Sequence, residues 1–195
     1  MNIKKAAMFG LDARIALAIF GALSVISGAA LYSAIQESKM VAIIAESSEI
    51  SKAVEEYMLS VGEDLPLGSA SYDIDCPEAF LSTTKTGWNG PYLSYSDPSD
   101  SRDRLKHSSY GYVSVQKYTD EANTSTTTPI FCSAGKTCYY WSVIWDVPLS
   151  LLNAIDDKYD DGVAGTGNIK VFYSGSGSPT IGNIAIKGPL LLNQP

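Results

Sequence analysis

The chain has few of the residues on which catalytic and nucleic-acid-binding sites depend. Its 195 residues include one histidine and three cysteines, and 14 lysines and arginines stand against 21 aspartates and glutamates. The net charge of -7 repels phosphate backbones, so we expect no contact with nucleic acid. The phosphate-binding glycine loop and the HExxH and GxSxG motifs are all missing. We therefore expect that the protein is not an enzyme.

Charge is also missing from one long run near the amino terminus. Residues 15–35, IALAIFGALSVISGAALYSAI, form an uncharged stretch long enough to cross about 30 Å of hydrocarbon as a helix. Lys4, Lys5 and Arg14 precede this run, and such a bias of positive charge keeps the amino terminus in the cytoplasm. We therefore predict a single membrane span, with the rest of the chain exported.

A signal peptide has the same bias of charge and is the alternative interpretation. Residues 27–30, SGAA, place the small residues Gly28 and Ala30 at the two positions that a signal peptidase reads. Cleavage after Ala30 would remove the span. The product would be a soluble exported binding or adhesin module.

The residues that follow the apolar run favour a longer helix. Residues 36–61 contain no proline or glycine, and Glu46 and Glu49 fall on a face expected to be solvated. One apolar stripe recurs at helical spacing, through Ile43, Ile50, Val54, Tyr57 and Val61. Residues 15–61 therefore predict one helix of about 47 residues, some 70 Å long, which is amphipathic in its second half. Gly62 is placed to end it.

An exported chain places its cysteines in an oxidising compartment, where disulfides form. Cys76, Cys132 and Cys138 do not form a four-ligand metal pattern. Cys132 and Cys138 flank Gly135 in a short loop that can close, so we expect this bridge rather than a pairing of either with Cys76. Cysteine catalysis is not expected, because nothing in the sequence links His107 to a thiol.

Residues 63–195 predict a small head with an antiparallel sheet. Residues 63–105 are rich in glycine, proline, serine and aspartate, which predicts a connecting loop with one helical turn near residues 77–81. Runs with the alternation and composition of strands predict three or four strands, at residues 109–118, 138–145, 168–173 and 183–187. Pro148 opens a short helix. Residues 119–129 form a polar loop that is a candidate contact surface, although we favour a solvated loop without a function.

The leader MNIKKAAMFG, the two-part helix and the small head together resemble the type IV pilins and the pseudopilins of type II secretion. GWNGPYLS (87–94) and IDDKYDDG (155–162) are similar to stretches in the heads of that family. For the first stretch we favour Trp88 and Tyr92 as core residues on the helix over ligand contacts. The resemblance implies an α+β fold in which the helix packs on the sheet. Its parts are a leader (1–10), a transmembrane and filament-core helix (11–35), an amphipathic helix (36–62) and a head (63–195).

The resemblance also implies a route to a filament. A prepilin peptidase would cut after Gly10 and methylate the new amino terminus at Leu11. The chain would sit in the bacterial inner membrane with its head in the periplasm, in contact with lipid and the inner-membrane assembly machinery. It would then join copies of itself or other pilin-like subunits in a periplasmic or extracellular filament.

The mature chain would differ from the usual family pattern at its start. The family's glutamate at the fifth mature position is replaced by Ile15. That glutamate offsets the amino-terminal charge of a neighbour in an apolar core, where an unpaired charge costs several kcal/mol. We expect Asp12 to take this role, and Arg14 to need its own acidic partner or a place at the membrane surface.

Calcium is the cofactor that the resemblance allows, because oxygen-rich loops of this composition bind it in some pseudopilins. The candidate ligands are Asp156, Asp157, Asp160 and Asp161. Their spacing is not that of an EF-hand loop. Aspartates in such positions also bond local backbone amides, and we favour this turn chemistry.

Overall fold

The computed structural model describes residues 3–123, 128–173 and 179–195. Its elements are, in chain order, α1 (Ile3–Val61), α2 (Cys76–Phe80), β1 (Leu105–Lys106), β2 (Tyr112–Thr119), β3 (Cys138–Pro148), α3 (Leu149–Tyr159), β4 (Ile169–Phe172) and β5 (Ile181–Leu190). The chain divides into two compact units, Met1–Ala42 and Ile43–Pro195. The architecture is α+β, as predicted.

Helix α1 ends where the sequence predicts and begins earlier. It starts at Ile3 rather than near residue 15, because residues 3–14 contain no proline and are mostly good helix formers. Its end is set by Gly62, which has a φ of 77° and donates its N–H to the Met58 carbonyl at 2.9 Å. That left-handed conformation favours glycine, so the helix stops there.

The second half of α1 packs against the sheet within the unit Ile43–Pro195. Four of the five predicted stripe residues are buried, and Val61 is half-buried. A buried hydrogen bond of 2.6 Å joins the Ser47 and Ser142 hydroxyls, so this face of β3 lies directly on the helix. Because side chains alternate along a strand, Trp141 and Val143 point to the other face. There they form a second cluster with Tyr118, Phe172 and Ala185.

The sheet has five antiparallel strands in the order β1-β2-β3-β5-β4. The four predicted strands are β2 to β5. Strand β2 begins at Tyr112 rather than at residue 109, and β3 and β5 extend beyond their predicted ends. The additional strand, β1, has two residues, too few to show any alternation in the sequence. Leu105 and Lys106 pair with Val113 and Tyr112 of β2, so tertiary pairing makes this segment a strand.

The residues of the GWNGPYLS stretch pack on the ends of two helices. The Trp88 indole N–H donates to the Ala79 carbonyl of α2 at 3.1 Å, and the Tyr92 hydroxyl bonds the Ser60 hydroxyl of α1. The two rings meet edge to face, with centroids 5.6 Å apart. Both side chains are half-buried, so they join the connecting loop to the helices.

Candidate functional site

The first candidate site is the apolar surface of α1 in the unit Met1–Ala42. Among the described residues, α1 is the one helix long and apolar enough to cross a membrane. Its large apolar side chains from Ile15 to Ile35 are exposed, with Leu17 at 70% and Val25 at 74%. A continuous apolar surface of this extent is rare on a soluble monomer and marks contact with lipid or with another protein.

The predicted processing and charge sites lie on the same helix. Gly10, Asp12 and Arg14 are exposed, and the side chain of Leu11 lies outside the described part of the structure. Residues two positions apart on a helix do not face each other. Asp12 and Arg14 therefore do not face one another, and each would need a partner from elsewhere if this segment were buried.

The predicted disulfide joins Cys132 and Cys138, whose Cα atoms are 5.7 Å apart. Cys76 is free and buried. Its sulfur bonds the Asp103 carbonyl and the Val115 N–H, and burial strongly raises the pKa of the thiol. A neutral, enclosed thiol is a poor nucleophile, so Cys76 has a structural role.

The second candidate site is the aspartate cluster at the end of α3, defined by Asp156, Asp160 and Asp161. One carboxylate oxygen from each of these three lies within 4.8 Å of the others. The fourth predicted ligand, Asp157, is exposed and lies beside Gly162 rather than in this cluster. The structure therefore brings together three of the four predicted residues.

Two members of the aspartate cluster already have backbone partners. Asp160 Oδ2 accepts the Ile169 N–H at 2.8 Å, at the start of β4. Asp161 Oδ1 accepts the Val163 N–H at 2.9 Å, and its other oxygen accepts the Thr166 hydroxyl. These bonds are the turn chemistry that the sequence favoured, and they lead the chain from α3 into β4.

The third member differs, because Asp156 is only 2% exposed and its Oδ1 has no hydrogen-bond partner among the described residues. Burial, reinforced by the charges of Asp161, Asp160 and Asp157, raises its pKa to about 6. A buried carboxylate without a partner is costly when ionised. A divalent cation bound to the cluster would supply the missing partner, so these residues fit a hard cation with oxygen ligands.

The chain thus presents an apolar helical surface and an oxygen-rich cluster as candidate sites. No family model, no curated protein and no solved structure matches it. Its function is therefore inferred from its own residues.

One polar cluster of the head, around the buried His107, was not predicted. Glu46 accepts from His107 Nε2, with its two oxygens 2.9 and 3.0 Å away, and from the Tyr95 hydroxyl. His107 Nδ1 accepts the N–H groups of Ser109 and Tyr110 at 2.9 and 2.8 Å, so Nε2 carries the proton. Both ring nitrogens are engaged. The cluster therefore fastens the segments around Tyr95 and His107 to α1. No local pattern in the sequence indicates these contacts.

A buried lysine holds the start of the polar loop. Lys170 on β4 is fully buried and donates to the Thr119 and Glu121 carbonyls at 3.4 and 2.6 Å. Its ammonium also lies 5.0 Å from the centroid of the Trp141 ring. Residues 124–127 lie outside the described residues, so the contact surface considered for residues 119–129 stays a hypothesis.

Proposed function

We propose that the protein is a subunit of a type IV pilus-like or type II secretion pseudopilus filament. It is anchored in the inner membrane by α1 before assembly, and it polymerises through residues 11–35. The observation that carries this proposal is the exposed apolar first half of a helix whose second half lies in the core of the head. Its role is assembly rather than catalysis.

The apolar surface explains why the subunit would move from lipid to filament. Burial of apolar surface is worth roughly 25 cal/mol per Å² relative to water, so this segment requires an apolar environment at every stage. Lipid provides that environment before assembly, and the same segments of neighbouring subunits provide it afterwards. Because Ile43, Ile50 and Tyr57 are already buried in the head, assembly through residues 11–35 would not require the core of the head to rearrange.

The unbroken course of α1 supports this proposal over release by signal peptidase. A signal peptide has no need to continue as a helix beyond its cleavage site. Here α1 runs through Ala30 and on to Val61. The Cys132–Cys138 disulfide accords with a head in the oxidising periplasm.

Charge pairing would set how neighbouring subunits align. Cleavage after Gly10 leaves a positive amino terminus at Leu11, which in an apolar core needs a counter-charge. Asp12 of an adjacent subunit offers one, and both groups lie at the same end of the segment. Arg14 then takes an acidic partner or the membrane surface.

The test is the mass and amino-terminal residue of the mature protein from its native cell. A start at Leu11, heavier by one methyl group, is the expected result. A start at Leu31 would instead show release after Ala30, and the soluble binding or adhesin module would replace the filament subunit.

Binding of a divalent cation, most readily calcium, is a second candidate function for the head. The observation that favours it is the buried, unpartnered Oδ1 of Asp156. Asp156, Asp160 and Asp161 would hold the cation, which would supply positive charge among three carboxylates. The stability of the turn between α3 and β4 would then depend on calcium, and the melting temperature of the head with and without calcium tests this.

A further inference from the structure

A cavity of about 240 Å³ lies in the head beside β2 and the end of β3, away from the aspartate cluster. Tyr72, Phe131 and Trp145 line it with aromatic rings, and Asp73, Asp103 and Arg104 line it with charge. Pockets for drug-sized ligands are usually about 300–1,000 Å³, so this one suits a single small ring.

The aromatic walls are held in place by their own contacts. The Tyr72 and Phe131 rings are stacked, with centroids 3.9 Å apart and planes 23° apart. On the β3 side, the Trp145 indole N–H donates to the Ser114 hydroxyl at 2.9 Å, which fixes the plane of the indole ring. The apolar surfaces that a ligand would meet are therefore preformed.

The polar lining combines a buried hydrogen-bonded chain with open acceptors. Tyr118 donates to the Gln116 side chain, and Gln116 donates in turn to Asp73 Oδ1, with all three side chains buried. The Ser69 N–H donates to Asp103 Oδ1 at 2.7 Å. The second oxygen of each carboxylate has no hydrogen-bond partner among the described residues. Each can accept from a ligand.

Arg104 supplies the donor. Its guanidinium carbon lies 4.6 Å from the Trp145 ring centroid and 5.5 Å from that of Tyr112. Within the described residues Arg104 has no ion pair. Stacking fixes the plane of the guanidinium group while its N–H edge keeps donors for a ligand.

We propose that this cavity binds a neutral sugar ring. A sugar presents C–H groups on its face, which pack on aromatic rings, and hydroxyls on its rim, which both donate and accept hydrogen bonds. Asp73 and Asp103 accept, Arg104 donates, and Trp145 offers a flat surface. Two carboxylates against one guanidinium disfavour an anion, and the polar lining disfavours an apolar ligand. This site goes beyond the proposed filament function and does not depend on it.

The experiment uses the full chain in micelles of a zwitterionic phosphocholine detergent, which has no sugar headgroup. Glucose, galactose, mannose and N-acetylglucosamine are each titrated by saturation-transfer NMR and tryptophan fluorescence. At least one sugar should bind with a dissociation constant of about 1 mM, as expected for so small a ligand. Acetate and phosphate are titrated in parallel and should not bind here.

Arg104→Ala should lower the affinity for the sugar that binds by about tenfold. Lys187→Ala is the matched control, because the Lys187 ammonium also lies over a ring, 3.8 Å from the Tyr139 centroid, but does not line the cavity. Tyr72→Ala, at a half-buried position, is a second variant and should also weaken binding.

The proposal is overturned if none of the four sugars binds at about 50 mM, or if acetate or phosphate competes for the cavity. It is also overturned if Lys187→Ala weakens binding as much as Arg104→Ala does. Because binding is measured on the unassembled subunit, its failure would leave the filament proposal intact, and failed assembly would leave the sugar result intact.

Discussion

The two halves of α1 are one helix, but their apolar side chains have opposite environments. Leu17 and Val25 in the first half are 70% and 74% exposed, whereas Ile43 and Ile50 in the second half are each 1% exposed. The difference shows that apolarity alone does not make a core. The second half has a sheet to pack on, whereas the first half has no such surface among the described residues.

The largest effect is expected from a charged side chain placed in the first half of α1. Leu17→Lys should abolish incorporation into filaments, because a lysine in an apolar segment costs roughly 2.5–3.5 kcal/mol even at a bilayer centre. The measurement is the amount of the subunit in sheared filaments, set against its total in the cell. Leu59→Lys is the matched control, since Leu59 is 85% exposed on the same helix.

Normal incorporation of Leu17→Lys would contradict the filament-core role of the first half. Loss of incorporation in both variants would show that lysine on α1 disrupts assembly without regard to position.

The second effect concerns the core of the head. Ile50→Ala should lower the free energy of unfolding by about 2–5 kcal/mol, because it removes a buried side chain and leaves a cavity. Urea unfolding of the chain in micelles, followed by tryptophan fluorescence, measures it. Ile26→Ala, at an exposed position of the first half, should change head stability by less than about 0.5 kcal/mol. Equal effects would remove the distinction between the halves.

The third effect is the pH dependence that Asp156 gives the head. Its pKa is about 6 in the folded chain, above the ordinary 3.8, so the folded state binds the proton more tightly than the unfolded state. The contribution of Asp156 to stability is therefore most favourable below about pH 4 and is lost as the pH rises from about 4 through 6. Asp156→Asn should remove this loss, raising stability at pH 7 by up to about 3 kcal/mol without metal.

Adding calcium tests the same aspartate as a cation ligand. Millimolar calcium should raise the melting temperature of the wild-type head at pH 7 and should have no effect on Asp156→Asn. Asp157→Asn, at the exposed aspartate outside the cluster, should respond to calcium as the wild type does. If calcium does not change the melting temperature, the cation site is contradicted and the aspartates serve only to bond the turn.

The smallest effect is that of the disulfide. Replacing Cys132 and Cys138 together by serine should lower head stability by about 2 kcal/mol, the value for closing so short a loop. Anchoring by the first half of α1 should not change, as membrane fractionation would show. Reductant should destabilise the wild type by the same amount and leave the double variant unchanged. An additional loss in the double variant under reductant would point to a disulfide between two chains through Cys76, the one cysteine that variant retains.

Much of the fold could be predicted because its signals are local. The stripe through Ile43, Ile50, Val54 and Tyr57 follows the helical period, and strands β2 to β5 follow alternation and composition. The bridge between Cys132 and Cys138 follows from the shortness of its loop. Helix α1 starts at Ile3 rather than at the predicted residue 15, because the residues before 15 favour a helix and carry no signal of a helix boundary.

The sites depended on contacts that no local signal carries. Glu46 fell on a face predicted to be solvated, yet it binds His107 and Tyr95, which lie 61 and 49 residues away in the chain. Asp156 and Asp157 are adjacent and chemically identical, but one is buried in the cluster and the other is exposed. The rotation of α3 against the sheet decides between them.

The two-part helix, the α+β class and the short disulfide loop follow from the amino-acid sequence, because each depends on residues close together in the chain. Three features depend instead on tertiary packing: which aspartates meet, the pairing that makes β1 a strand, and the position of Arg104 against Trp145 beside Asp73. Those contacts depend on strand register and on the course of the connecting loop. Strand register and loop course are both set by the free energy of packing the whole head, which cannot be read from any short segment of the sequence.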